Sequence, residues 1–204
     1  LAHYLPILSA FILVFSFLPL LSKIRKNRSV SGLSLLMMTF GLAQSLYFIT
    51  YNIYFERYFI ALPFFVTGAL SGLILYYFAR YNAAKAERIQ LVAMLGFSLL
   101  PFLLLLNKSL ETSSVLNALT YVGLVMSSVR VMPQTYKTLR SGNISNLSAR
   151  YFSLQFVAGT CGLFVELSSA MPSTSHILMF VMLLLTNAVQ FACMQYYKMR
   201  PAMA

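Results

Sequence analysis

One short sequence occurs twice in the chain, and no other feature constrains the fold as much. Pro19-Leu20-Leu21-Ser22-Lys23-Ile24-Arg25-Lys26-Asn27-Arg28-Ser29-Val30-Ser31-Gly32-Leu33-Ser34 aligns without a gap, 114 residues later, with Pro133-Gln134-Thr135-Tyr136-Lys137-Thr138-Leu139-Arg140-Ser141-Gly142-Asn143-Ile144-Ser145-Asn146-Leu147-Ser148. Each copy joins two long apolar stretches through a proline near a helix end, a basic loop and a Leu-Ser helix start. Such a pattern in both halves of a membrane-sized chain predicts a duplicated helical bundle.

Composition identifies the solvent. With 59% hydrophobic and 9% charged residues and a mean hydropathy of +0.77, the chain has too little polar surface for a soluble globule and too few charges for disorder. It reads as an integral membrane protein whose main partner is the lipid bilayer. The net charge of +11 would suit nucleic acid in a soluble protein. Here the basic residues lie in short gaps between apolar runs, where they set topology, so nucleic acid is not an expected partner. Cys161 and Cys193 fall inside apolar runs and suggest neither a disulfide framework nor a thiolate metal site. The first apolar run has no basic region before it and is long enough to span, so it reads as a spanning helix rather than a cleavable signal.

A spanning helix needs about 20 mostly apolar residues. Runs of that kind cover approximately 4–22, 33–53, 58–79, 89–106, 115–134, 147–169 and 174–197, which predicts seven transmembrane helices. Placing the N-terminus outside or lumenal puts Lys23, Arg25, Lys26, Arg28, Arg80, Lys85, Arg88, Lys137, Arg140, Arg150, Lys198 and Arg200 on the inner side. Only Arg57 and Lys108 then face outward, and Arg130 is left near a helix end. The bias predicts an N-out topology with a cytosolic C-terminus. Both repeats then start from helices running outside to inside, so the two three-helix units are parallel and the fourth helix links them. The expected organisation is 3+1+3: residues 1–80 form the first unit, 81–110 the linker and 111–204 the second unit. A weaker echo, Thr67-Gly68-Ala69 to Tyr77-Phe78 against Thr186-Asn187-Ala188 to Tyr196-Tyr197, supports this division.

With Pro133-Gln134 followed by Lys137, Arg140 and Asn146-Leu147-Ser148, the sequence resembles the PQ-loop repeat family, which includes the SWEET and SemiSWEET sugar transporters and cystinosin. The first copy has Pro19-Leu20 in place of Pro-Gln, but its Ser31-Gly32-Leu33-Ser34 tail matches. The resemblance covers about residues 10–80 and 120–200. It implies an alternating-access solute carrier in which each unit packs in the order 1-3-2 around a central pocket. It also implies pocket positions: Asn187 takes the place of an asparagine on the third helix, with Gly68 beside Thr67 as its counterpart. Phe48, followed by Tyr51, and Gly162, beside Cys161, take the places of tryptophans on the second helices. The chain has no tryptophan, so the aromatic sandwich of the sugar carriers is expected to be reduced on one side and absent on the other.

Several residues carry site expectations from their own chemistry. Proline removes a backbone hydrogen bond, so Pro19 and Pro133, with Gln134, are expected to form hinges; termination of the helix is the plainer reading. Glu166 is the only acid inside an expected span, and Gln155, Gly159, Gly162 and Glu166 share one helical face. Small residues there allow close packing or a solute-sized hollow, while Glu166 takes up a proton, contacts a cationic solute group or reaches the interface. Asn187 needs a partner, either a neighbouring helix or the solute. Gln44, Phe48 and Tyr51 line one face of the second span and suit a polar organic solute. The substrate-binding set is therefore Asn187, Gln44, Phe48, Tyr51, Thr67, Gln155 and Gly162. His3 and His176 lack a third ligand, so no metal site is expected. Neither a catalytic triad nor a carboxylate pair is present, and no cofactor or enzymatic activity is implied. Asn107-Lys108-Ser109 is the one glycosylation sequon on the expected outer side.

Taken together, these features predict a carrier of a small polar solute, an amino acid or a sugar, with proton coupling through Glu166. The plasma membrane and the endolysosomal membrane both fit, and self-association of the chain is left open. The alternative is a non-transporting sorting receptor or accessory protein resembling the KDEL receptor.

Overall fold

The computed structural model describes residues 5–54, 56, 58–81, 92, 96, 112–168 and 174–199. Seven helices are present among them: α1 (Leu5–Asn27), α2 (Leu35–Tyr54), α3 (Tyr58–Tyr81), α4 (Thr112–Val129), α5 (Met132–Ser141), α6 (Ala149–Leu167) and α7 (Thr174–Met199). The expected fourth span, 89–106, lies almost wholly outside the described residues, as do His3, Arg57, Lys85, Arg88, Pro101, Asn107, Lys108 and Arg200. Stretches of α1, α3 and α7 are long and apolar enough to cross a bilayer. The chain is an all-α, multi-pass membrane protein.

Five of the expected spans coincide with described helices to within a few residues, and a sixth is divided. The fifth span is two helices: α4 ends at Val129, a turn occupies Arg130 and Val131, and α5 begins at Met132 with Pro133 in its first turn. Without an N–H, Pro133 cannot continue the hydrogen-bond ladder of α4, but it is well tolerated where a new helix starts. Pro19 occupies the equivalent position in the first copy, yet α1 runs unbroken through it to Asn27. The two prolines therefore differ: one divides its helix and the other does not.

The Leu-Ser starts behave alike. Ser34 Oγ accepts from Met37 N (3.4 Å) and Ser148 Oγ accepts from Tyr151 N (3.3 Å), so each serine caps the helix that follows it. The loops before them also correspond. Gly142 has φ +63°, and its counterpart 114 residues earlier, Arg28, has φ +46°.

Within each half the third helix packs against both others: α3 against α1 and α2, and α7 against α6 and the α4–α5 pair. Across the halves α1 packs on α6, and α2 packs on α4 and α5. These cross-contacts are equivalent, since each joins the first helix of one half to the second helix of the other. The C-terminal ends of α1, α3 and α7 meet the N-terminal ends of α2 and α6, so the halves run parallel. Here Phe17, Leu20, Ile24, Leu33, Ile74, Phe78, Val131, Leu147, Tyr151 and Phe152 join one buried apolar cluster. Lys23, Arg25, Lys26, Arg28, Lys137, Arg140 and Lys198 belong to the same end of the bundle, called the basic end below.

Gly32 illustrates how closely the halves approach. It has φ +82°, and a Cβ placed there would stand 2.9 Å from the Asn143 carbonyl oxygen of the opposite loop. Gly32→Ala is expected to destabilise the purified protein by about 1–3 kcal/mol, read as a lower melting temperature in detergent. Gly72→Ala on α3, where nothing lies within 4 Å of the added carbon, is expected to be neutral or slightly stabilising.

Candidate functional site

At the basic end the two copies of the repeated sequence lock onto each other. Lys23 Nζ donates to the Leu147 carbonyl (2.6 Å) and Lys137 Nζ donates to the Leu33 carbonyl (2.6 Å). Lysines and carbonyls are both separated by 114 positions, so these bonds form a reciprocal pair. Asn143 Nδ2 donates to Ser31 Oγ (2.7 Å), Asn146 Nδ2 to the Ser31 carbonyl (3.0 Å) and Asn27 Nδ2 to Asn146 Oδ1 (2.7 Å). Gln134 adds a contact that has no counterpart. Its Oε1 accepts from Ser34 N (2.7 Å), and its Nε2 donates to the Gly32 carbonyl (2.8 Å) and to Thr138 Oγ1 (3.2 Å). The side chain is fully buried. Gln134 thus acts as a clamp on the opposite loop, next to the break that Pro133 follows; Leu20 stands in its place in the first copy.

Beyond this seal lies a layer of buried polar side chains. Gln155 on α6 is fully buried; its Oε1 accepts from Arg130 Nη2, and its Nε2 donates to Ser16 Oγ (2.6 Å), which donates to the Leu13 carbonyl (2.6 Å). Ser16 and Arg130 are again 114 residues apart. The Gln155 amide therefore joins equivalent positions of the two halves. Asn187 on α7 is buried, with Nδ2 bonded to the Leu183 carbonyl (2.7 Å) and Oδ1 unpartnered. Gln190 Nε2 donates to Thr138 Oγ1 (3.1 Å), while its Oε1 has no partner. Gln44 on α2 is buried with Oε1 also unpartnered. Thr67 is engaged locally, within 3.2 Å of Ser45 Oγ and donating to the Phe64 carbonyl (3.1 Å).

An apolar layer closes the other side. Phe48, Leu124 and Met179 form a buried cluster with Phe64 and Phe180 against it, and the rings of Phe48 and Phe64 are 4.9 Å apart. Of the two readings of Gly159 and Gly162, the structure has the close packing, with α7 side chains against both. A Cβ on Gly159 would stand 3.2 Å from Leu184 Cδ2, and one on Gly162 would overlap the Phe180 ring. The expected loss of the aromatic residue on this side is therefore offset from α7, which supplies Phe180 against Gly162 of α6. Tyr51 is half-buried three residues beyond Phe48.

Glu166 stands apart from this arrangement. It lies at the far end of α6, 3.5 Å from His176 Nδ1 of α7, in a contact that is ionic when the imidazole is protonated. Among the described residues no cluster of three or more metal-ligating side chains occurs. Where span 5 breaks, an open groove of about 450 Å³ forms beside Phe40, Val129, Met132, Pro133 and Tyr136 on α2, α4 and α5.

Arg130 is the functional candidate that sequence reasoning did not find, and for Gln134 it named a hinge rather than the clamp. Extending the repeat alignment three residues before each proline pairs Ser16 with Arg130, and that unequal pair was the available signal.

Comparison with known proteins agrees with the resemblance. Residues 1–60 match the family model described as the PQ loop repeat. No curated protein matches the chain in sequence. A solved structure of a eukaryotic SWEET transporter matches with a TM-score of 0.66 and 15% identity, over 98% of this chain and 97% of that one. At that identity the match concerns the fold, which is SWEET-like.

The clamp makes a direct prediction. Gln134→Leu, which restores the residue of the first copy, leaves Ser34 N–H and the Gly32 carbonyl without partners at a cost of about 1–3 kcal/mol each. In a background with Cys161 and Cys193 replaced by Ala, a reporter cysteine at Ser31 is expected to react faster with a membrane-impermeant maleimide when Gln134 is Leu.

Proposed function

We propose that this protein is a carrier that moves a small polar solute across a membrane by alternating access between two parallel three-helix units, residues 1–80 and 111–204, joined by a linker helix within 81–110. The observation that carries this reading is the set of buried polar side chains with unsatisfied acceptors. Ser16, Gln44, Arg130, Gln155, Asn187 and Gln190 are all buried, and the amide oxygens of Gln44, Asn187 and Gln190 are left unpartnered. Leaving such groups empty is costly, and a solute bearing hydroxyl or amino donors supplies what they lack. The multi-pass architecture and the SWEET-like fold support the same reading.

In this proposal the structure corresponds to a form closed toward the basic end, which the excess of lysine and arginine assigns to the cytosol. Opening that end separates the reciprocal lysine bonds and withdraws Gln134 from the opposite loop. The helix break before Pro133 is the place where this motion costs least, because no continuous ladder has to be broken there. Pro19, inside an intact helix, leaves α1 as the stiffer arm. The apolar layer of Phe48, Phe64 and Phe180 acts as the second gate. Glu166, paired with His176 at the far end of α6, is proposed as the proton-coupling group, since protonation of either partner changes the pair.

Uptake of radiolabelled amino acids, sugars and nucleosides into liposomes containing the purified protein, with and without a pH gradient, tests the proposal. Saturable flux supports the carrier, whereas tight peptide binding without flux supports a sorting receptor. For a transported solute, Asn187→Ala is expected to lower uptake about tenfold, the value of one hydrogen bond to a buried group. Glu166→Gln is expected to abolish the response to a pH gradient while uptake without a gradient persists; an unchanged pH response removes Glu166 from the mechanism.

A further inference from the structure

Arg130 is the one cation of the polar layer, and among the described residues its charge has no match there. Its side chain is 6% exposed, its Nη2 is spent on the neutral amide of Gln155, and its Nε–H is buried without a partner. The chain has four acidic residues. Of the two described, Glu56 is exposed, and Glu166 lies eleven positions along α6 from Gln155, about 16 Å at the helical rise. Neither neutralises Arg130. Glu87 and Glu111 lie outside the described residues.

A guanidinium held at membrane depth without a counter-charge is among the costliest arrangements in a protein. The local sequence does nothing to force it, because the equivalent position in the first half is an uncharged serine, Ser16. Gln155 holds the guanidinium in place: its amide is fixed by Ser16, so its Oε1 is turned toward Arg130 and the remaining donors are left free. Within about a turn of this donor group along the bundle lie acceptors. Gly159 meets Leu183 and Leu184 of α7, so Gln155, one turn further toward the basic end, is level with Asn187. Ala43 and Tyr47 cluster with Met126, which sets Gln44 one turn of α4 away from Arg130.

Resting on the carrier reading above, we propose that the solute is an organic acid: its carboxylate docks on the Arg130 guanidinium, and its hydroxyl or amino groups donate to Asn187 and Gln44. A planar carboxylate fits the guanidinium fork and removes the charge imbalance. A neutral sugar satisfies the acceptors but leaves the cation uncompensated.

The test uses matched solutes in which an uncharged group replaces a carboxylate, namely glucuronate with glucose and lactate with lactamide. The full chain is assayed for uptake into liposomes and for the rise in melting temperature on solute addition in detergent. At least one acid is expected to exceed its neutral partner about tenfold or more in either measurement, Arg130→Gln to remove that preference, and Arg130→Lys to retain it in weakened form. An acid that raises the melting temperature without being taken up upholds the anion site and overturns the carrier. Equal or better uptake of the neutral partners, with the same selectivity in Arg130→Lys as in the parent, overturns the anion site and leaves the carrier standing. A parent protein that neither takes up nor is stabilised by any of the acids overturns the anion site without recourse to a variant.

Discussion

The reciprocal bonds from Lys23 to the Leu147 carbonyl and from Lys137 to the Leu33 carbonyl hold the two halves in register. In a bilayer the lipid tails are as apolar as leucine, so side-chain packing alone gives helices little reason to choose one partner over another. Polar groups supply the selectivity, because away from water they must find partners within the protein. Each lysine reaches across to a carbonyl just before the capping serine of the opposite half. One pair of contacts therefore fixes both where α2 and α6 begin and which helix ends they meet. The apolar cluster at the basic end fills in behind these bonds.

Between that seal and the aromatic cluster lie the buried polar side chains. Gln155 is the hub: it orients Arg130 through one end of its amide and holds Ser16 through the other. Asn187 and Gln190 offer acceptors from α7, and Gln44 does so from α2. The aromatic layer shows how the halves keep an equivalent shape with unequal residues. Rings reach this layer from the second and third helices of the first half, Phe48 and Phe64, and from the third helix of the second half, Phe180 against Gly162.

Much of this architecture was legible in the sequence because it depends on one-dimensional signals. Apolar run lengths located the spans, the 114-residue repeat located the loops, and the Leu-Ser pairs located two helix starts that the structure caps with Ser34 and Ser148. The face carrying Gln155, Gly159 and Gly162 does turn inward, but only Gln155 contributes a polar group; the glycines admit leucine and phenylalanine side chains from α7, which spacing along α6 cannot reveal. Arg130 was read as a helix-end residue because a charge beside a proline ordinarily reaches the interface. Its burial follows from the break in span 5 and from an amide on another helix, and both are properties of the assembled bundle. The different behaviour of Pro19 and Pro133 has the same origin, since identical residues at equivalent positions were given unlike neighbours, Leu20 and Gln134.

The pairing of Ser16 with Arg130 has a consequence for how such a chain can arise. If two identical single-unit chains assembled about the same axis, an arginine at this position would appear on both sides of one amide, and two like charges would face each other in a medium that screens neither. A self-associating ancestor could hold there two serines or none of this chemistry, but never one cation. Fusing the copies into a single gene product frees the two positions to diverge, and an odd charge can then sit at the centre of an otherwise even structure.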